Sequence, residues 1–138
     1  MLLFSSVLGG FWCSAYVGTI ATLKENKFNK IRMLVFPKSY SYNEEEPAIY
    51  PFEGFLRYKR GANDWIFDAK ETGFDYTRPN PKYFQNLEDN IEKLDQLGIE
   101  ADLILFSPYD RWGFARMGLE NNLWYLKYVI ARLASYKN

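Results

Sequence analysis

The chain has 138 residues, enough for one domain built around one ordinary hydrophobic core. Lys and Arg total 17 and Asp and Glu total 17, so no net charge favours nucleic acid or an anionic membrane. The single cysteine, Cys13, and the absence of histidine exclude an internal disulfide, a Cys/His zinc site and a histidine-activated nucleophile. The sequence therefore predicts no metal and no cofactor, and acid–base chemistry would have to come from Asp, Glu, Lys or Tyr.

The amino-terminal stretch is apolar, and its first charge is Lys24. A secretory signal would carry basic residues ahead of its apolar segment, and none are present. As a membrane span, residues 1–17 are short and interrupted by Ser and Gly. We interpret residues 1–17 as an inner strand and loop of a buried sheet, which favours a cytoplasmic location. A degenerate signal or a membrane anchor over residues 1–23 stays open as the alternative.

The next elements are predicted to be a short helix over 19–27 and a strand over 30–36 that Pro37 ends. A long connection over 38–80 follows, punctuated by Pro and Gly throughout. It is rich in Tyr, Phe and Trp, unlike a disordered linker, so we expect it to be packed and partly to line a cleft. Its run of three acids, Glu44–Glu46, is interpreted as a solvated face.

The clearest helix is predicted over 81–97, with Asn80 as N-cap, Pro81 in the first turn and Gly98 after its end. A second strand over 101–106 follows, and the crossover implies that the two strands are parallel. A last helix is predicted over 119–136. We expect four apolar residues to form its buried face: Leu123, Leu126, Ile130 and Leu133.

The candidate site is the segment that follows the second strand. Pro108 has no N–H to give to a central ladder, so the strand should end before it, and four polar or aromatic residues come next. Because the carboxyl ends of parallel strands meet at one edge, the exit of the first strand should join them in one cleft. The alternative is a structural Asp110–Arg111 turn with Tyr109 and Trp112 in the core. The predicted substrate-binding residues are Lys38, Tyr40, Tyr109, Asp110, Arg111 and Trp112.

Five segments of the chain resemble the apiosidase-like family of glycoside-hydrolase (β/α)8 barrels, including bacterial members described as endoglucanases or cellulase-like enzymes. They are FNKIRMLVFPKSY, YPFEG, FDYTRPNPKYF, LGIEADLILFSPYDRWGF and YVIARLASYKN. The resemblance covers roughly Thr19 to Asn138, and PYDRWGF after GIEADLIL is its most specific part. Ser107 departs from the family, in which His is expected, and residues 1–17 do not match the family's first strand.

The resemblance implies a partial α/β barrel of about three βα units, with parallel strands, as a single domain over 1–138. It also implies a carbohydrate ligand and a retaining type of O-glycosyl hydrolysis by two carboxylates, both expected beyond Asn138. The chain is therefore expected to be an inactive fragment, completed by the remaining barrel or self-associating through an exposed sheet edge.

Within the chain, Asp110 is the best-placed carboxylate, and Asp75 is a weaker candidate. Arg111 beside Asp110 favours the charged carboxylate, which suits a binding group or a base rather than a general acid. Two further hypotheses remain open at this stage. One is a non-catalytic carbohydrate-binding or scaffold domain, and the other is a domain anchored to a membrane by residues 1–23.

Overall fold

The computed structural model describes residues 14–38, 46–55, 72–108 and 112–137, with side chains from Ile20 onward in its first helix. Its three α-helices are α1 (Ser14–Glu25), α2 (Pro81–Gln96) and α3 (Leu119–Leu133). Its four strands are β1 (Lys30–Leu34), β2 (Phe52–Phe55), β3 (Gly73–Pro79) and β4 (Glu100–Ile104). A short 3-10 turn, Phe114–Arg116, precedes α3. The architecture is α/β, as predicted.

The first helix begins earlier than the sequence indicated, at Ser14 rather than Thr19. The expected inner strand and loop over 1–17 is therefore wrong for residues 14–17, while residues 1–13 lie outside the described part. Ala15 and Thr19 to Ala21 are compatible with a helix that runs through the uncharged stretch without a strong amphipathic pattern. Within the described ranges, no helix is long and apolar enough to cross a membrane.

The two strands predicted to be parallel do pair in parallel. The register runs from Lys30 opposite Glu100 to Leu34 opposite Ile104. The N–H of Val35 extends the ladder by donating to the Ile104 carbonyl at 3.0 Å. One face of the pair, including Ile31 and Met33, is buried in the core.

The predicted connection over 38–80 contains two strands, so its description as a loop is wrong in part. β2 and β3 form an antiparallel pair with an irregularity between Phe52 and Glu53. In β3, Phe74 and Tyr76 are buried whereas Asp75 and Thr77 are exposed, which is the alternation of a half-buried strand. The surrounding Pro and Gly residues masked that short alternation in the sequence.

Aromatic rings fill the space beyond the carboxyl ends of β1 and β4. Phe36 stacks on Tyr125 of α3 with ring centroids 4.5 Å apart, and it meets Phe114 at 5.3 Å. Phe52 of β2 packs against the same rings. This ring cluster, defined by Phe36, Phe52, Phe114 and Tyr125, joins α3 and the hairpin to the edge of the sheet where the candidate site was predicted.

The ends of α2 match the sequence. The Asn80 side chain accepts a hydrogen bond from the Lys82 N–H at 3.1 Å, and Pro81 occupies the first turn. At the other end, Gly98 has φ +68° and its N–H donates to Asp95, while the Ile99 N–H donates to Leu94. Those two bonds form a Schellman motif, which satisfies carbonyls that the helix leaves unpaired.

The predicted buried face of α3 is wrong for two of its four residues, whereas Leu126 and Leu133 are partly buried. The fully buried residues of this helix are Tyr125 and Val129, whereas Leu123 and Ile130 are exposed. Tyr125 is held by its stack on Phe36 and by donating its hydroxyl to the Leu105 carbonyl at 3.0 Å. With Tyr125 and Val129 at the centre of the buried face, Leu133 packs at the edge of the core and Leu123 and Ile130 are left exposed.

Candidate functional site

The candidate site lies at the carboxyl edge of the β1–β4 pair. Because the strands are parallel and in register, the chain leaves both of them at the same edge. Lys38 follows β1 and is half-buried, and Ser107 follows β4 and is buried. Tyr40, Tyr109, Asp110 and Arg111 lie outside the described residues, so their convergence in one cleft stays a prediction. Trp112 is the one remaining predicted site residue, and its contacts are described.

Trp112 is bound to a carboxylate from the segment before β2. Its indole Nε1–H donates to Oε2 of Glu46 at 2.7 Å. The Tyr50 hydroxyl donates to the same Oε2 at 2.6 Å. Sixty-six positions separate Trp112 from Glu46 in sequence. We call this arrangement the Glu46 clamp; it ties the segment after β4 to the one that leads into β2.

The indole of Trp112 is fully buried, with 0% of its surface exposed. It lies nearly parallel to the Phe114 ring, with centroids 6.3 Å apart and an interplanar angle of 20°. A ring in that position offers no free face for stacking on a ligand. We therefore expect Trp112 to contribute by orienting the Glu46 carboxylate rather than by touching a substrate itself.

The sequence did not single out Glu46. It was assigned with Glu44 and Glu45 to a solvated face, which is wrong for Glu46 because its side chain is half-buried and bound by two donors. Glu44 and Glu45 lie outside the described residues. Tyr50, four residues after Glu46, was the nearest signal in the sequence. The Trp112 contact spans the fold and has no signature in a single chain.

Two buried tyrosines hold the backbone beneath the site. The Tyr83 hydroxyl of α2 donates to the Val35 carbonyl at 2.5 Å, just beyond β1. The Tyr125 hydroxyl donates to the Leu105 carbonyl, just beyond β4. Burial raises the pKa of both phenols, so both stay protonated and keep donating. Each strand exit is thus fixed by one phenol, which makes the edge a rigid base for the polar segments that follow.

The weaker catalytic candidate, Asp75, lies on β3 with an exposed side chain. The Thr77 hydroxyl donates to its Oδ1 at 2.6 Å and the Thr77 N–H does so at 3.0 Å. These donors lower the pKa of Asp75. Asp75 therefore serves as a local brace of the strand, and its low pKa does not suit a general acid.

In the described portions of the chain, no group of three or more His, Cys, Asp or Glu side chains is arranged to hold a metal ion. The chemistry that the described edge offers is hydrogen bonding by a carboxylate, a lysine and phenols. Such groups beside aromatic rings are typical of sites that bind polyhydroxylated ligands.

Comparisons with known proteins give one informative result. No model of a protein family matches the chain, and the search of curated proteins finds no match. The chain is similar to a solved structure, the crystal structure of a putative glycoside hydrolase from Bacteroides vulgatus ATCC 8482. The two are 41% identical, the TM-score is 0.78, and the match covers 100% of this chain. The chain spans 27% of the length of that protein.

Proposed function

We propose that this chain forms the sugar-binding part of a glycoside-hydrolase-like fold. The observation that carries the proposal is the similarity over the whole chain, at 41% identity and a TM-score of 0.78, to a putative glycoside hydrolase. The parallel β1–β4 pair and the polar, aromatic exits at its carboxyl edge agree with such a fold. The finer form of the proposal is a (β/α)8 barrel of the apiosidase-like kind, in which hydrolysis breaks an O-glycosyl bond.

The roles of the residues follow from their chemistry. Glu46, held in one orientation by two donors, accepts hydrogen bonds from sugar hydroxyls. Lys38 and Arg111 donate to ring or hydroxyl oxygens, and Asp110 accepts from hydroxyls. Tyr40 and Tyr109 supply flat apolar faces with a polar tip, which suit the faces of a sugar ring.

Hydrolysis of a glycoside needs two carboxylates on opposite sides of the scissile bond, about 5–5.5 Å apart for retention and further apart for inversion. The chain spans 27% of the length of the similar protein, and we infer that a complete fold of that kind includes further polypeptide. We place the general acid and the nucleophile there. These 138 residues on their own should therefore bind carbohydrate but show little or no turnover.

The test combines binding with activity. The purified chain is titrated calorimetrically with pectic oligosaccharides, and it is assayed for turnover on a panel of aryl glycosides and the same oligosaccharides. We expect saturable binding to at least one oligosaccharide, weakened about tenfold by Asp110→Asn and by Glu46→Gln through loss of a charge-assisted acceptor. Asp95→Asn, an exposed change on α2 of the same kind, is the matched control and should leave binding unchanged.

Two outcomes would count against the proposal. Turnover well above the enzyme-free blank, abolished by Asp110→Asn, would show that the chain builds a complete catalytic site. An absence of binding across the panel, with a folded protein by circular dichroism, would remove the carbohydrate-binding role. A version extended with the rest of the fold separates catalysis from binding alone, since only a hydrolase gains turnover on extension.

A further inference from the structure

Phe106 is an exposed aromatic residue at the carboxyl edge of the β1–β4 pair. Among the Phe and Trp side chains that the structure describes, only Phe55, Phe106 and Trp124 are exposed. Phe55 ends β2, and Trp124 lies on α3, where its ring stacks on Tyr128. Phe106 is the second residue after β4 and is 41% exposed. Of these three rings, it is the one that lies at the candidate site.

Phe106 follows the end of the sheet rather than lying within it. Among the described residues, the parallel ladder ends with the bond from the Val35 N–H to the Ile104 carbonyl, at 3.0 Å. Further strands and helices of an α/β fold are added beside a parallel sheet and on its faces, whereas ligands bind beyond the carboxyl ends of its strands. The position of Phe106 therefore favours a ligand, rather than another part of the fold, as the group that covers its exposed surface.

A single buried residue, Tyr125, fixes both the backbone and the ring at this point. Its hydroxyl donates to the carbonyl of Leu105, the residue before Phe106, at 3.0 Å. Its ring meets the Phe106 ring edge-on, with centroids 5.4 Å apart and an interplanar angle of 76°. Whichever ring presents its edge, such a contact covers at most one face of Phe106. Tyr125 is itself fully buried and stacked on Phe36, so the support of Phe106 is part of the core.

We propose that Phe106 is a stacking platform for a sugar ring of the bound carbohydrate, an inference that rests on the proposed function. A phenyl ring has no hydrogen-bonding group, so it receives the apolar C–H face of a sugar while polar groups of the same edge bind the hydroxyls. Lys38, half-buried where the chain leaves β1, is one such group. The fully buried Trp112 has no free face for this role.

The chemistry of the platform narrows the class of sugar. A flat apolar ring suits a pyranose whose hydroxyls are equatorial, because the C–H bonds then form both faces of the sugar. Tyr125 holds the Phe106 ring in place before the sugar arrives, so little conformational entropy is lost on binding and the contact contributes to affinity. Cellotetraose, a chain of β-linked glucose rings with equatorial hydroxyls, is the first probe, and tetragalacturonate is the pectic probe.

The first experiment titrates the purified chain calorimetrically with both probes and compares variants on the one that binds more tightly. Phe106→Ala should weaken binding about fivefold to tenfold. Phe106→Leu keeps an apolar side chain but loses the flat face, and should weaken binding about fivefold, whereas Phe106→Tyr should stay within about twofold of the parent. Trp124→Ala, which removes a ring of similar exposure (38%) away from this edge, is the matched control and should leave binding unchanged.

The second experiment distinguishes stacking from an indirect effect on the fold. Sugar protons that lie over an aromatic face are shifted upfield by its ring current in the proton NMR spectrum. We expect such shifts for the bound probe with the parent chain and with Phe106→Tyr, and their loss with Phe106→Leu. Circular dichroism of every variant, with a urea denaturation curve, checks that the fold is retained.

The outcomes separate this proposal from the proposed function. Probe binding that Phe106→Leu leaves intact would overturn the platform, while the carbohydrate-binding role would stand. Equal weakening by Phe106→Leu and Phe106→Tyr, with the ring-current shifts unchanged, would also overturn it, because Phe106 would then act through its packing on Tyr125. If the folded parent chain binds neither probe nor any other oligosaccharide of the panel, the proposed function and the platform both fall.

Discussion

Helices α2 and α3 have the same kind of sequence pattern but use it differently. In α2 the apolar residues at spacings of three and four are the residues that the core buries, among them Leu87 and Leu94. In α3 the equivalent residues are only partly covered, since Leu123 and Ile130 are exposed, and the fully buried residues are Tyr125 and Val129. Apolar residues at helical spacing thus identify a helix and its hydrophobic face, but they do not decide which face is buried in the folded protein.

The reason for the difference lies in the neighbours that each helix meets. α2 lies beside β4, and its buried residues include the aliphatic side chains of Leu87, Ile91 and Leu94, which recur at spacings of three and four. α3 meets the ring cluster and the side of α2, where the favoured partners are an aromatic ring at 125 and a guanidinium at 132. Amphipathic residues such as Tyr and Arg bury most of their bulk and keep a polar tip, so a count of leucines passes over them.

The largest effect is expected from truncation in α2. Leu87 is fully buried in the core cluster, so Leu87→Ala removes packed methyl groups and leaves a cavity. We expect a loss of about 3 kcal/mol in the free energy of unfolding, measured by urea denaturation of the dilute protein. A loss below about 1 kcal/mol would mean that the core around α2 is loosely packed and that the contrast with α3 is smaller than the structure indicates.

A smaller effect is expected where α3 is attached to α2. The Arg132 and Glu88 side chains are 26% and 12% exposed, and the guanidinium also donates to the Tyr128 hydroxyl at 2.9 Å. The bond to Glu88 raises the pKa of Arg132, which therefore stays charged. Arg132→Lys keeps the charge but loses the planar fork, and it should cost about 1–2 kcal/mol.

The control for that substitution is Arg78→Lys at an exposed position of β3, which should change the free energy of unfolding by less than about 0.5 kcal/mol. Urea curves at low and high salt complete the measurement. Because the Arg132–Glu88 pair is partly shielded from solvent, most of its contribution should persist at high salt. If salt erased the difference between Arg132→Lys and the parent chain, the pair would be behaving as an ordinary surface contact.

The caps of the two helices give the next comparison. The side chain of Asn80 caps α2, whereas α3 follows Gly118, which has no side chain to offer. Asn80→Ala should destabilise the protein by about 1 kcal/mol, because the Lys82 N–H loses its acceptor. Thermal denaturation followed by circular dichroism measures the loss, and Asn80→Asp, which retains an acceptor, should recover most of it.

Local signals predicted much of this fold. The cap at Asn80, the turn at Gly98 and the apolar runs of β1 and β4 each depend on residues close together in sequence, and all of them lie where the sequence placed them. The β2–β3 hairpin was missed because its strands are short and separated by a long insertion, so no turn of two to five residues marked it. The rotation of α3 depends on the distant Phe36 ring, which no local pattern reveals.

The candidate site was also predicted only in part, because some of its features follow from the order of the elements and others depend on distant contacts. Parallel pairing placed Lys38 and the segment after β4 at one edge, and that inference needed only the order of the elements. The contact between Trp112 and Glu46 joins positions 66 residues apart, so it required the fold itself. The positions of Tyr40 and of residues 109–111 relative to this edge remain a prediction, to be tested by the binding variants.

The smallest effect should come from Leu123 of α3, and it makes the sharpest comparison with Leu87. Leu123→Ala is the same chemical change as Leu87→Ala, on a helix of similar length, but half of the Leu123 surface is already exposed at 50%. Little burial is lost, and alanine is the better helix former by a few tenths of a kcal/mol, so the two contributions largely cancel. The free energy of unfolding should change by no more than about 0.5 kcal/mol. A loss near that of Leu87→Ala, measured by urea denaturation, would show that Leu123 is already packed against the chain, and the distinction between the two helices would then disappear.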